Sequence, residues 1–237
     1  MIKRLFNRND NIAILIAGIF SIIIGLGVAR FAFTGLIPAM LDDYLTIKFV
    51  GILASLNFAG YLSGSIFSIF VKDINFKVYL YRFGIFLAIS TTFILAYSDN
   101  NTLWMIGRVL AGFAGAMCLI VGTSIVMQKL TIKSKTKAMG IHFSGIGFSI
   151  LTTDLLARFV LSLNYTWRDS WAVLAVFAII LSLYSVYILS FDKEVKQNAV
   201  KVKFDISIFT PFVIVLIIAY FTEGVGFVVQ ATFLPDI

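Results

Sequence analysis

Long apolar stretches alternate with short polar segments along the whole chain. In windows of about 19 residues, the apolar stretches predict helices at residues 12–41, 49–71, 78–97, 102–127, 138–163, 170–191 and 206–234. Most of these stretches reach the roughly 20 residues that an α-helix needs to cross a bilayer. The pattern therefore predicts a polytopic membrane protein with seven spanning helices.

Composition agrees with this prediction. Hydrophobic residues make up 60% of the 237 residues and charged residues 13%, with a mean hydropathy of +0.98. A soluble domain needs more polar surface than this to cover its exterior. Because backbone groups in lipid must be hydrogen-bonded internally, we expect an all-α membrane protein built from helical hairpins.

Lysine and arginine residues fall mainly on one side of the predicted bundle. Of the 19, the odd-numbered loops hold only Lys48 and Arg168, while Arg30, Arg108 and Arg158 lie inside predicted spans. The remainder flank the N-terminus and the even-numbered loops, which predicts a multi-pass protein of the bacterial inner membrane with a cytoplasmic N-terminus. The net charge of +7 then reflects loops beside anionic lipid, so the expected partner is the bilayer and not nucleic acid.

Small residues recur every fourth position on two predicted helices, a pattern that lets helix backbones approach closely in lipid. We expect these stripes to pack inside one bundle; homodimerisation through the same faces is the alternative. The stripes comprise Gly51, Ser55, Ala59 and Ser63, with Gly60 and Gly64 beside them, and Gly107, Ala111 and Gly115.

Three ionisable residues interrupt three different spans. Arg30 shares a helix face with Thr34, Arg108 lies in the fourth span, and Glu223 shares a face of the seventh with Gln230. Charged groups inside a membrane usually face a cavity or a partner because their insertion is costly. The alternatives are arginines that extend to the headgroups and a Glu223 that makes one interhelical hydrogen bond.

The fifth predicted helix carries further polar residues. Asp154 and Arg158 are spaced i, i+4, which predicts an intrahelical ion pair, with a solute contact as the alternative. His142, the single histidine, is interpreted as an interfacial polar residue in preference to a proton relay. We expect no metal or other cofactor and no enzyme activity, because the chain has no metal-ligand spacing and no convincing nucleophile and base pair.

An internal repeat relates the first and seventh predicted helices. Residues 25–38 and 224–235 both contain a G-x-G pattern, then a small hydroxyl residue and then proline. Such a repeat is typical of transporters with parallel halves. It predicts a six-helix bundle over residues 1–191, a cytoplasmic central loop over residues 192–205 and the first helix of a second bundle over residues 206–237.

The same residues resemble the major facilitator superfamily, and more narrowly its YbfB-like family. Residues 27–38 match the pattern G-x-x-R-F-x-(Y/F)-T-x-x-x-P, and further matches lie at residues 108–112, 167–171, 223–224 and 231–235. The resemblance covers essentially the whole chain. The usual superfamily signature between the second and third helices is degenerate here.

The resemblance implies that helices 1, 4 and 7 line one central cavity, which would bring Arg30, Arg108 and Glu223 together. It implies a proton-coupled transporter that works by alternating access on a small organic solute, with an anionic solute as one option. Arg30, Thr34, Arg108 and Gln230 would bind the solute, and Glu223 would carry the proton. A truncated, non-transporting fragment and a seven-helix receptor or sensor are the two alternatives.

Overall fold

A computed structural model describes residues 6–131, 135–190 and 210–233, with residues 223–233 described by their helical backbone alone. Six of its helices are long and apolar enough to cross a membrane, which confirms an all-α membrane protein. They are α1 (Asn11–Leu41), α2 (Ile47–Phe70), α3 (Ile74–Tyr97), α4 (Asn101–Lys129), α5 (Lys135–Ser162) and α6 (Trp167–Ile188). The seventh helix, α7, spans Pro211–Phe233.

The helices divide into two compact units. Helices α1 to α6 belong to the first, and α7 belongs to the second. The domain limits predicted at residues 191 and 205 fall outside the described residues.

Helix α1 forms the centre of the six-helix unit. It contacts α3, α4, α5 and α6, and its segment Ile23–Phe31 winds as a π-helix. Almost every residue from Ala13 to Ala29 is apolar, so each face of this helix is compatible with burial. Helix α4 contains a shorter π segment, Met117–Val121, which packs against that of α1.

Several helices begin a few residues earlier than their apolar stretches predict. Asp73 accepts a hydrogen bond from the backbone N–H of Phe76 at 2.7 Å, so α3 begins at Ile74 and not at residue 78. Thr166 and Asp169 form a reciprocal capping box that starts α6 at Trp167. Hydropathy misses these first turns because capping residues are polar.

A close backbone contact joins α2 and α4. A Cβ atom placed on Gly60 would lie 2.0 Å from the carbonyl oxygen of Val109, and one on Gly112 would lie 1.9 Å from that of Asn57. No side chain larger than hydrogen fits at either glycine, so the two backbones touch directly.

The packed face of α2 differs from the predicted stripe. Ser55, Ala59 and Ser63 are exposed, and a Cβ atom on Gly51 would meet no atom within 4 Å. The prediction that this stripe packs inside the six-helix bundle was therefore wrong for α2. The stripe of α4 is buried, as predicted; it comprises Gly107, Ala111 and Gly115.

Aromatic and charged residues join the three odd-numbered loops at one end of the bundle. The ring of Tyr44 lies 5.2 Å from that of Trp104 and 5.9 Å from that of Trp167. The indole N–H of Trp167 donates to the Asp43 carboxylate at 2.9 Å, and Arg168 pairs with Asp99. These contacts hold the ends of six helices together without a disulfide.

Cations stabilise the opposite end of α6. The Lys129 ammonium donates to the carbonyl oxygen of Ile188 at 2.8 Å, and Arg8 Nε donates to that of Tyr187 at 3.0 Å. Positive groups at a helix C-terminus donate hydrogen bonds to its unpaired carbonyl oxygens and interact favourably with the negative end of the helix dipole.

Replacing Gly60 by alanine tests the contact between α2 and α4. We expect the substitution to destabilise the protein by about 1–3 kcal/mol, because the new methyl group overlaps the Val109 carbonyl. Thermal unfolding of the purified protein in detergent measures the effect. The matched control is Gly51→Ala on the same helix, where the methyl group meets open space. Equal unfolding temperatures for the two variants would contradict the contact.

Candidate functional site

Arg108 lies fully inside the six-helix unit, with 2% of its surface exposed. Its Nη1 atom donates to the carbonyl oxygen of Ala29 at 3.1 Å, and its Nε atom donates to that of Leu53 at 3.5 Å. The guanidinium carbon lies 4.2 Å from the centroid of the Phe33 ring. Carbonyl dipoles and a ring face therefore compensate this charge, and the side chain does not extend to the headgroups.

The contact between α2 and α4 explains how Arg108 reaches this position. Asn57 on α2 is 1% exposed, and its side-chain N–H donates to the carbonyl oxygen of Arg108 at 3.1 Å. The nearby glycines remove the side chains that would otherwise separate the helices. Arg108 thereby joins α4 to α1 through Ala29 and to α2 through Leu53.

Arg30 has a different environment, although it directly follows the Ala29 carbonyl that Arg108 contacts. It is half-buried, and its guanidinium carbon lies over the rings of Phe58, Tyr61 and Phe31 at 4.5, 5.2 and 5.4 Å from their centroids. We call these three rings the aromatic cage. In the described part of the chain, no carboxylate lies within ion-pair distance of Arg30.

The π segment of α1 carries Arg30 close to its end. A Cβ atom on Gly25 in this segment would lie 2.3 Å from the Cβ atom of Cys118 in the π segment of α4. The two irregular segments therefore cross at a glycine contact. Single π turns inside α-helices occur frequently at functional sites, which agrees with a site near Arg30.

Three other predicted residues lie on α1 and α5. Thr34 is half-buried, one turn beyond Arg30. Arg158 Nε lies 2.7 Å from Asp154 Oδ2, as expected of an i, i+4 pair. The Asp154 carboxylate is adjacent to Gly35 of α1, because a Cβ atom there would lie 2.9 Å from Asp154 Oδ1.

The remaining predicted residues, Glu223 and Gln230, belong to α7. Their side chains lie outside the described part of the structure. The six-helix unit alone thus brings together the environments of Arg30 and Arg108.

His142 is not the interfacial residue that its position near the start of α5 indicated. It is 1% exposed, and its Nε2 atom lies 2.9 Å from the Thr123 hydroxyl. Gly18 of α1 provides the space for the ring, since a Cβ atom there would lie 2.6 Å from His142 Nδ1. In the described ranges, no group of three His, Cys, Asp or Glu side chains could hold a metal ion.

Sequence reasoning did not identify Asn57, Phe58 and Tyr61 as site residues. An asparagine in an apolar stretch was a usable signal, because a polar group in lipid needs a partner. The two rings gave no such signal, because the chain contains 24 phenylalanines and 9 tyrosines.

Comparison with known proteins identifies the family of this chain. The model of the family described as "Uncharacterised MFS-type transporter YbfB" matches residues 22–237. The chain belongs to this family. The resemblance to the major facilitator superfamily is thereby confirmed, and the family is one of transporters and not of enzymes. Together with its six apolar helices, this makes the chain a multi-pass membrane protein.

A curated relative supports the same family. The chain is 24% identical over 161 residues to "Protein TsgA homolog" from Buchnera aphidicola subsp. Baizongia pistaciae (strain Bp). The match covers 67% of this chain and 41% of the relative, so the chain spans about two fifths of that protein's length.

The Arg108 contacts predict a mainly structural effect of its replacement. We expect Arg108→Gln to lower the free energy of unfolding by about 1–3 kcal/mol, because the shorter amide leaves buried carbonyl groups without donors. The control is Lys48→Gln, which removes an exposed cation and should change stability by about 0.5 kcal/mol or less. Chemical or thermal unfolding in detergent measures both. An Arg108→Gln protein as stable as the control would contradict the role of these hydrogen bonds.

Proposed function

We propose that the intact protein is a secondary active transporter that moves a small anionic organic solute by alternating access, coupled to protons. Membership of a transporter family supports the transport activity. The anionic solute and the proton are inferred from the residues of the candidate site. The name of the curated relative mentions no solute, so this relative does not identify the solute of this chain.

The observation that carries the proposal is the environment of Arg30. Its guanidinium lies within a spanning helix, and aromatic rings are its neighbours where an acidic partner would be expected. A cation in a membrane without a counter-charge costs a few kcal/mol, so the site favours an anion. A bound carboxylate supplies that counter-charge together with two parallel hydrogen bonds.

The other predicted solute contacts have distinct roles in this proposal. Thr34 offers a hydroxyl one turn from Arg30, and Gln230 offers an amide on α7. Arg108 mainly holds the helices in position, because its described hydrogen bonds go to the backbone of α1 and α2. Its contact with Ala29 fixes the turn of α1 that presents Arg30.

Proton coupling is assigned to Glu223. No lysine or arginine lies within one helical turn of it in the sequence, so no local cation holds it charged. A carboxyl group in such a position takes up and releases a proton as water gains and loses access.

The proposal places the protein in a bacterial inner membrane with a cytoplasmic N-terminus. This orientation rests on the bias of lysine and arginine towards the N-terminus and the even-numbered loops. The end of the bundle with the Tyr44 and Trp167 contacts then faces outward.

Replacing Arg30 tests the anion site. We expect Arg30→Gln to reduce solute uptake into vesicles at least about tenfold, because the amide supplies neither the charge nor the bidentate fork. Arg30→Lys should retain part of the activity through its charge alone. The matched control is Arg82→Gln, which removes an exposed arginine from spanning helix α3. Undiminished uptake by Arg30→Gln would overturn the proposal.

The role of Glu223 in proton coupling is tested separately, by measuring transport with and without a pH gradient. We expect Glu223→Gln to abolish accumulation driven by a pH gradient while leaving solute exchange at equal pH measurable, because an amide cannot release a proton. Glu223→Asp keeps a titratable carboxyl group and serves as the control. A Glu223→Gln protein that still accumulates solute under a pH gradient would contradict the coupling role.

A further inference from the structure

The candidate site offers a solute one open guanidinium, that of Arg30, although Arg108 donates a hydrogen bond to the neighbouring residue Ala29. Arg108 donates to the carbonyl oxygens of Ala29 and Leu53, and it is buried. Arg30 is half-buried and has no described carboxylate beside it. One guanidinium fork matches one carboxylate, since each takes two parallel hydrogen bonds. The described site therefore compensates a single negative charge.

The surroundings of that guanidinium are mainly aromatic. Phe58 and Tyr61 lie on one face of α2, three residues apart, and Phe31 approaches from α1. Cation–π contacts of this kind occupy ring faces and stabilise the charge without providing hydrogen-bond acceptors. The part of a solute next to a carboxylate bound by Arg30 would meet mainly aromatic carbon atoms. A sugar-like body with many hydroxyl groups would lose its hydrogen bonds there.

The aromatic cage is held in place by the contact between α2 and α4. Gly60 lies between Phe58 and Tyr61 in sequence and touches the backbone of α4 at Val109. A Cβ atom on Gly112 would lie 2.7 Å from the backbone nitrogen of Tyr61. Two backbone contacts thus flank Phe58 and Tyr61, so the helix backbone that carries the two rings is held in place before a solute arrives. A preformed apolar surface binds with less loss of side-chain entropy.

We propose that the solute is a monocarboxylate with an apolar body, its carboxylate bound by Arg30 and its body packed against Phe58 and Tyr61. This inference rests on the proposed anion site and narrows the class of anion that the site would bind. It excludes dicarboxylates as preferred solutes, because the described site has no second open cation. It also gives Phe58 and Tyr61 a role in specificity, which is separate from the role of Arg30 in charge recognition.

Four probes test the inference by isothermal titration of the purified intact protein in lipid nanodiscs. Phenylacetate carries one carboxylate and an apolar body, and acetate carries the carboxylate alone. Phenylacetamide keeps the body without the charge, and 1,4-phenylenediacetate adds a second carboxylate to the same body. We expect phenylacetate to bind at least about tenfold more tightly than each of the others, because only it satisfies both parts of the site.

Variants separate the contribution of the aromatic rings from that of the Arg30 guanidinium. Phe58→Leu and Tyr61→Leu keep apolar bulk and should reduce the ratio of phenylacetate to acetate affinity by roughly threefold to tenfold. Arg30→Gln should weaken phenylacetate and acetate alike. The control is Phe70→Leu on the same helix, where the residue is 75% exposed, and it should leave the ratio unchanged. Unfolding temperatures of all variants establish that they are folded.

The outcomes distinguish the inference from the proposed function. If 1,4-phenylenediacetate binds most tightly, or if acetate equals phenylacetate, the inference is overturned and the anion site stands. An unchanged affinity ratio in both folded leucine variants also overturns it. If neither phenylacetate nor acetate binds more tightly than phenylacetamide, the proposal of an anion site is itself wrong. Tighter binding of phenylacetate that depends on Arg30, Phe58 and Tyr61 supports both.

Discussion

The direct backbone contact between α2 and α4 is the constraint on which the candidate site depends. Gly60 and Gly112 allow the two helices to approach until carbonyl oxygens fill the space where Cβ atoms would be. At this distance Asn57 bonds the backbone of Arg108, and Phe58 and Tyr61 surround Arg30. A wider spacing would separate the rings from the arginine and leave the asparagine without its acceptor. Close packing of small residues replaces the hydrophobic driving force that lipid does not provide.

The charges of Arg158, Arg108 and Arg30 are compensated in three different ways, and this difference gives the site its chemistry. Arg158 pairs with Asp154 on its own helix. Arg108 uses carbonyl dipoles and the Phe33 ring, and is enclosed. Arg30 contacts only ring faces among the described groups. In a medium of low dielectric constant an incompletely compensated cation attracts an anion strongly, which is why Arg30 and not Arg108 is the centre of the proposed function.

Prediction from sequence succeeded where one property of one helix was sufficient, and failed where a neighbour decided the outcome. The apolar stretches located all six spanning helices, but their starts were late because Asp73 and Thr166 are polar caps. The stripe from Gly51 to Ser63 was assigned to the bundle interior, although α2 packs through Gly60. Small residues lie on both faces of this helix, so spacing alone cannot select the face that a second helix contacts.

The sequence by itself determined the membrane, the first six of the seven predicted spans, the superfamily and the arginines that interrupt the apolar helices. These depend on local composition and motif, because hydrophobicity and charge act residue by residue on transfer into lipid. Only the tertiary structure decided that Arg108 is bound by backbone carbonyls, that Arg30 is surrounded by rings and that His142 is buried. Such outcomes depend on which atoms of other helices come within a few ångströms. That proximity is set by helix packing and is not encoded within any single segment.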